Sequence, residues 1–259
     1  MNPLSYSQIT LFQTCPIKWY NKYYLNIKEP EVDNPSFIFG SGVHKLIEEK
    51  LRNNKEFDLN DLLDFQKLKN PDDDRSKAID LAGKAIDLVQ KNDLSVGNDF
   101  TFINFGIEEK IEYPDFVGVI DCVAKDKNGK TYIIDWKTTS TIYTPHQLRT
   151  SDQLTCYSWL LHRKYDIVAD YVCYVTMNKK SGIVTMYKTI RDMDDILYWD
   201  KKVSSIHKQI DYMLLTKNPS ACIGEWDTCY YYNKCWNLER EIETFYLEKP
   251  KFGGLKSII

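Results

Sequence analysis

A chain of 259 residues with 43% hydrophobic and 27% charged side chains can build a substantial core, as one large domain or two small ones. Its formal charge of −3 lacks the basicity of a dedicated nucleic-acid binder, although a local basic groove is compatible with it. No apolar run approaches the ~20 residues of a membrane span, MNPLSYSQIT has neither the basic start nor the apolar core of a secretory leader, and seven cysteines do not pair completely, so the expectation is an intracellular, cytoplasmic protein without membrane association whose thiols are buried or bind metal.

In chain order, Ser5 to Thr14 and Ile17 to Tyr24 read as short helices interrupted at Cys15-Pro16. Gly40 to Arg52 carries apolar residues at Val43, Leu46, Ile47 and Leu51, a helical period. Residues 53–98 are polar, with one amphipathic helix over Ser76 to Gln90. A strand is expected at Thr101 to Tyr113, then a hairpin, a helix over Gln147 to Arg163, strands at Ile167 to Met177 and Ile183 to Ile190, and a long helix over Asp192 to Leu215. The order β-β-β-α-β-β within flanking helices predicts an α/β domain with helical additions.

The hairpin, GVIDCVAKDKNGKTYIIDWKTTS, carries the sharpest chemistry. Two apolar runs flank Asn128-Gly129, and each contains an acid where a buried strand favours Val or Ile. With a three-residue loop 127–129 and Gly129 left-handed, Asp121 faces Asp135, and alternation puts Lys137 on the same side as Asp135. A two-residue turn at Asn128-Gly129 instead separates the acids onto opposite faces. Opposed carboxylates repel, and a divalent cation offsets the repulsion. Asp121, Asp135 and Lys137 are therefore candidates for metal-assisted phosphate chemistry; a lone Asp-x-Lys is usually a solvated salt bridge, but these acids sit in apolar strands.

Other stretches supply weaker candidates. His44 and Glu48 are four apart on one helical face, and Gln153 and Tyr157 share another. A single histidine is more often structural than a ligand, whereas Gln can bond a phosphate and Tyr can stack on a base. NPSACIGEWDTCYYYNKCW places Cys222, Cys229 and Cys235 six and five residues apart, a pattern that suggests metal ligation, with Cys15 the best candidate for a fourth ligand. Cys122, Cys156 and Cys173 read as small core residues.

Taken in order, these stretches resemble the RecB-like branch of the PD-(D/E)XK nuclease superfamily over roughly residues 4–236. LSYSQITLFQTCPIKWYNKYY is similar to that branch's opening helix with its cluster cysteine, and GSGVHKLIEE to its His motif at His44. GVIDCV resembles the metal-binding Asp motif at Asp121, DWKTT the D/E-x-K motif at Asp135 and Lys137, and QLTCY the Gln-x3-Tyr motif at Gln153 and Tyr157. The Cys triplet resembles the iron–sulfur staple of AddB-type and CRISPR-adaptation nucleases.

The resemblance implies a restriction-endonuclease-like core, a central mixed sheet flanked by helices, in a single domain 1–259. Within it, 1–52 holds the N-terminal helices, 53–98 a helical insertion, 99–190 the catalytic core, and 191–259 a helix and Cys-rich staple. It implies an Mg²⁺- or Mn²⁺-dependent deoxyribonuclease, an exonuclease acting on single strands or DNA ends. Asp121, Asp135, His44 and the Trp136 backbone carbonyl would hold the cation, Lys137 would act on water or phosphorane, and Gln153 and Tyr157 would position the strand. Cys15, Cys222, Cys229 and Cys235 would hold a 4Fe–4S cluster, with structural zinc the alternative. The rival reading is a DNA-binding or recombination-partner subunit active only in a larger complex, for example with a helicase. A compact stand-alone domain also fits a viral or mobile-element origin.

Overall fold

The computed structural model describes residues 3–30, 33–91, 100–223 and 228–236. Residues 92–98 of the expected insertion and 237–259 of the expected tail lie outside them. Helices α1 (Tyr6–Thr14) and α2 (Pro16–Trp19) meet at Cys15, whose extended backbone ends one and opens the other, and α2 runs on into a π turn, Tyr20–Tyr24. Helix α3 (Pro35–Asn53) begins five residues before the apolar period does, because Asn34 caps it and Pro35 occupies its first turn. A 3₁₀ segment, Leu59–Lys67, leads to α4 (Pro71–Lys91).

Five strands form one mixed sheet in the order β1-β2-β3-β4-β5: β1 (Phe100–Glu112), β2 (Val117–Asp126), β3 (Thr131–Thr139), β4 (Tyr171–Asn178) and β5 (Val184–Thr189). All neighbours are antiparallel except β3 and β4, which are parallel and joined by the helical crossover such a pairing requires. That crossover is two helices, α5 (Pro145–Arg149) and α6 (Asp152–Tyr165), where periodicity alone predicts one. The break falls at Thr150-Ser151, because the Ser151 hydroxyl accepts the Leu154 N–H and starts a new helix. Helix α7 (Met193–Asp211) follows, opened by the Asp192/Asp195 capping box, and a short α8 (Tyr232–Trp236) ends the described chain.

Alternation along the strands divides the core in two. Tyr132, Ile134, Trp136, Cys173, Val175 and Met177 pack with α3 and α4 on one face. Ile133, Val172 and Tyr174 pack with α1, α6 and α7 on the other. Asp135 and Lys137 share the parity of Ile133 and so lie on the α6 face. The β2–β3 turn is the three-residue form: Gly129 has φ +78°, its N–H donates to Asp126 O, and Asp126 pairs with Lys130. The β2–β3 register therefore runs toward an Asp121/Asp135 pairing, but the ladder ends one step earlier, at Cys122 and Ile134.

Candidate active site

Where β2 and β3 separate, the Asp121 side chain replaces the lost ladder. Its Oδ2 accepts the Trp136 N–H at 3.2 Å and its Oδ1 the Tyr157 hydroxyl at 3.1 Å. From Tyr157 a chain of bonds crosses α6 to the lysine: Gln153 Nε2 donates to Tyr157 Oη at 3.0 Å, and Lys137 Nζ donates to Gln153 Oε1 at 2.9 Å. Lys137 Nζ also lies 2.7 Å from Asp135 Oδ2. Four of the expected site residues are thus linked from Asp121 to Lys137, with Gln153 and Tyr157 one helical turn apart.

His44 approaches from the opposite face of the sheet, on α3. Its Nε2 is 2.7 Å from the Trp136 carbonyl oxygen, which can only accept, so that nitrogen carries the hydrogen. Nδ1 is left facing Asp121 Oδ2 at 3.6 Å and Glu108 Oε1 at 3.9 Å. The Trp136 carbonyl, expected to face the cation, is engaged by His44. Glu48, on the same helical face as His44, pairs instead with Arg52 at 2.8 Å.

Glu108 is the residue that sequence reasoning passed over. The β1–β2 register shifts by three residues between Phe102 and Ile107, forming a bulge. Gly106 makes the bulge possible, since a Cβ there would lie 2.6 Å from Val123 Cβ. Glu108 then takes a left-handed backbone, φ +49°, opposite Asp121 on β2. A glycine within an apolar strand, followed by Glu108-Glu109, was the available signal. Ligand atoms of His44, Glu108 and Asp121 all lie within 4.8 Å of one another, as a single ion needs.

The electrostatics favour a cation. Burial and the Asp121 charge push Glu108 up to about 8. Asp135, 0% exposed, is also raised, by burial and then by Asp121, with Lys137 opposing. Lys137 is the close charged partner of this fully buried carboxylate, at 2.7 Å from Oδ2, and one ammonium does not fill its lone pairs. Burial disfavours the Lys137 ammonium, but Asp135 and Asp121 outweigh it and hold its pKa above the usual lysine value. Hard oxygen donors plus one imidazole fit Mg²⁺ or Mn²⁺.

The expected cysteine centre is not formed as a ligand set. No group of thiols among the described residues meets the spacing that unites His44, Glu108 and Asp121. The sulfurs have other partners: Trp236 Nε1 donates to Cys222 Sγ at 3.3 Å, and Asn21 Nδ2 lies 3.9 Å from Cys235 Sγ. Burial raises the Cys235 thiol, and Cys229, Cys15 and Cys222 add to the rise. Cys122, Cys156 and Cys173 are buried core residues, as expected.

Comparison with known proteins gives a family model, the PD-(D/E)XK nuclease superfamily, that matches residues 3–235. No curated protein matches the chain. A crystal structure from Eubacterium rectale, of a protein provisionally named an exonuclease, is similar in fold: TM-score 0.50, 11% identity, 95% of this chain and 91% of that one. The structure of a protein named SSO0001 aligns over 76% of this chain and 86% of that one at 16% identity, but its TM-score of 0.27 carries no argument. No described helix is long and apolar enough to cross a membrane. With a family match over nine-tenths of its length and an acid–lysine site at the parting of two strands, the chain belongs to the PD-(D/E)XK nuclease superfamily of metal-dependent phosphodiester hydrolases.

Proposed function

We propose that the chain is a RecB-like deoxyribonuclease, an exonuclease that hydrolyses single-stranded DNA or DNA ends with Mg²⁺ or Mn²⁺. The observation that carries this reading is the convergence of His44, Asp121 and an upshifted Glu108 within 4.8 Å, beside a fully buried Asp135 that has Lys137 as its close cation. Such a cluster is costly unless a cation occupies it. Asp121, Glu108 and His44, with Asp135, would hold the ion. When bound, it supplies Lewis acidity toward the phosphoryl oxygen and a lower pKa for the attacking water.

The remaining work falls to the chain's own groups. Lys137, kept protonated by Asp135 and Asp121, donates to the non-bridging oxygens as charge develops on the phosphorane. Gln153 holds the Lys137 ammonium in place, and Tyr157 fixes the Asp121 carboxylate, so both act as positioning residues. His44, with its Nε2–H on Trp136 O, presents a lone pair from Nδ1 toward the acids.

The test is incubation of purified protein with end-labelled single- and double-stranded DNA in Mn²⁺, Mg²⁺, Ca²⁺ or EDTA. Cleavage from single strands or ends in Mn²⁺ and Mg²⁺, and none in Ca²⁺ or EDTA, is expected. Lys137→Ala should lower turnover by about 10²–10⁴-fold. Equal cleavage in EDTA would remove the metal from the mechanism, and binding without cleavage would favour the partner-dependent reading.

A further inference from the structure

The sheet face that carries Asp135 and Lys137 does not end at the catalytic lysine. In the β3–β4 register Lys137 lies beside Thr176, and in the β4–β5 register Thr176 lies beside Thr185. Directly paired residues share a face, so Lys137, Thr176 and Thr185 form one row across three strands, with neighbouring strands about 4.8 Å apart. Beyond the row the face opens into a cleft of about 620 Å³ between the loop after β3 and the β4–β5 turn. Its floor includes Thr139, Thr176, Thr185 and Tyr187, and no acidic residue is among its described lining. Lys180 stands at the mouth.

Two aliphatic side chains flank the cleft in an otherwise polar setting: Ile142 is 79% exposed and Ile183 61% exposed. They make an apolar clamp open to solvent, the surface a flat uncharged ring can cover. Asn178 Oδ1 accepts the Lys180 and Ser181 N–H groups of the turn, so the one amide in the lining cannot offer its oxygen and nitrogen together to a base edge. The cleft can therefore grip a base by its faces but has no free fork with which to read its edge.

We infer that this cleft is a subsite for one unpaired nucleoside of the DNA strand being cut, the unit next to the phosphate at Lys137, held between Ile142 and Ile183 with its sugar over the threonine-lined floor. The inference rests on the nuclease reading and names the part of the substrate that lies beyond the reacting phosphate. A volume of this size suits a single nucleotide unit and not a base pair with both backbones, so the subsite selects strands whose terminal base is already unpaired.

The experiment compares wild type with the Ile142→Glu/Ile183→Glu double variant and with Ile142→Ala/Ile183→Ala. Affinity for a fluorescein-labelled oligothymidylate is read by anisotropy in EDTA. Hydrolysis of bis(p-nitrophenyl) phosphate in Mn²⁺, a diester with no nucleoside, is read in parallel. The expected result is a loss of oligonucleotide affinity of about tenfold for the alanine pair and more for the glutamate pair, with diester hydrolysis within twofold of wild type. Unchanged oligonucleotide affinity in a wild type that cleaves DNA would overturn the subsite and leave the nuclease reading standing. Loss of both readouts in either variant also overturns it, because the effect then is not on the nucleoside. Oligonucleotide binding that depends on the two isoleucines, in a wild type that hydrolyses neither substrate, would keep the subsite and overturn the nuclease reading.

Discussion

Glu108 shows how one side chain ties stability to the site's chemistry. Its folded pKa, about 8, lies above its ordinary value of 4.5, so the protonated form is favoured by folding. That contribution is fully present below about pH 4.5 and is lost as pH rises through 8. Metal-free protein should therefore lose stability between about pH 5 and 8, and Mn²⁺, which needs the deprotonated acids, should restore it. The gap in Tm between Mn²⁺ and EDTA should widen steadily over that range; a gap that narrows with pH would remove Glu108 from the ligand set. Glu108→Gln removes a like charge from Asp121 while keeping the shape. It should raise metal-free stability by about 1 kcal/mol and weaken Mn²⁺ binding by at least about tenfold, measured by urea denaturation and by calorimetric titration.

At the scale of elements, what holds α6 to the sheet decides whether Gln153 and Tyr157 point at the acids. Arg191, 2% exposed, sits between β5 and α7 and donates to Thr155 Oγ1 at 2.8 Å, Leu148 O at 3.0 Å and Ser151 O at 3.2 Å. These partners span the α5–α6 break, so one guanidinium ties both helices to the strand edge. Arg191→Leu leaves those acceptors buried without donors and should cost roughly 3 kcal/mol in urea denaturation. A loss below about 1 kcal/mol would show that water replaces the guanidinium. The hairpin was legible because Asn128-Gly129 fixes the turn and the apolar runs fix the faces. The bulge in β1 was not, since a three-residue slip depends on pairing with Val123 that periodicity cannot express. The start of α3 at Pro35 was likewise hidden, because Asn34 and Pro35 act through capping and not through apolar spacing. For the same reason the α5–α6 break escaped notice while Gln153 and Tyr157, one turn apart on α6, were identified.

Across the whole molecule the two ends of the described chain are joined, by hydrogen bonds and packing. Asn218 Nδ2 donates to Thr14 O at 2.8 Å, and the Tyr231 hydroxyl donates to Ile27 O at 2.7 Å. Tyr231 itself is 2% exposed, an anchor for the last described segment. These contacts were beyond the reach of the sequence, because hydrogen bonds between remote loops leave no periodic trace. Tyr231→Ala should release the segment at a cost of about 3–5 kcal/mol to its local docking. Trypsin should then cut after Lys217 at least tenfold faster while cleavage within the sheet is unchanged, and equal rates in the two proteins would count against the anchor.

The double duty of Asp121 bears on how an inert form of the protein should be made. A variant meant to hold DNA without cutting it must lose the reaction and keep the architecture. Asp121 accepts the backbone of β3 and the hydroxyl of α6 where the two strands part, so replacing it loosens the frame along with the chemistry. Lys137 is the charge nearest the buried Asp135, and its loss obliges that acid to take up a proton. Glu108 carries neither burden: among the described residues no side-chain hydrogen bond to its carboxylate is formed, and the repulsion from Asp121, Glu48 and Asp135 outweighs the attraction of Arg52. Glu108→Gln is therefore the substitution of choice for a substrate-trapping protein, one that can be caught with a strand in place.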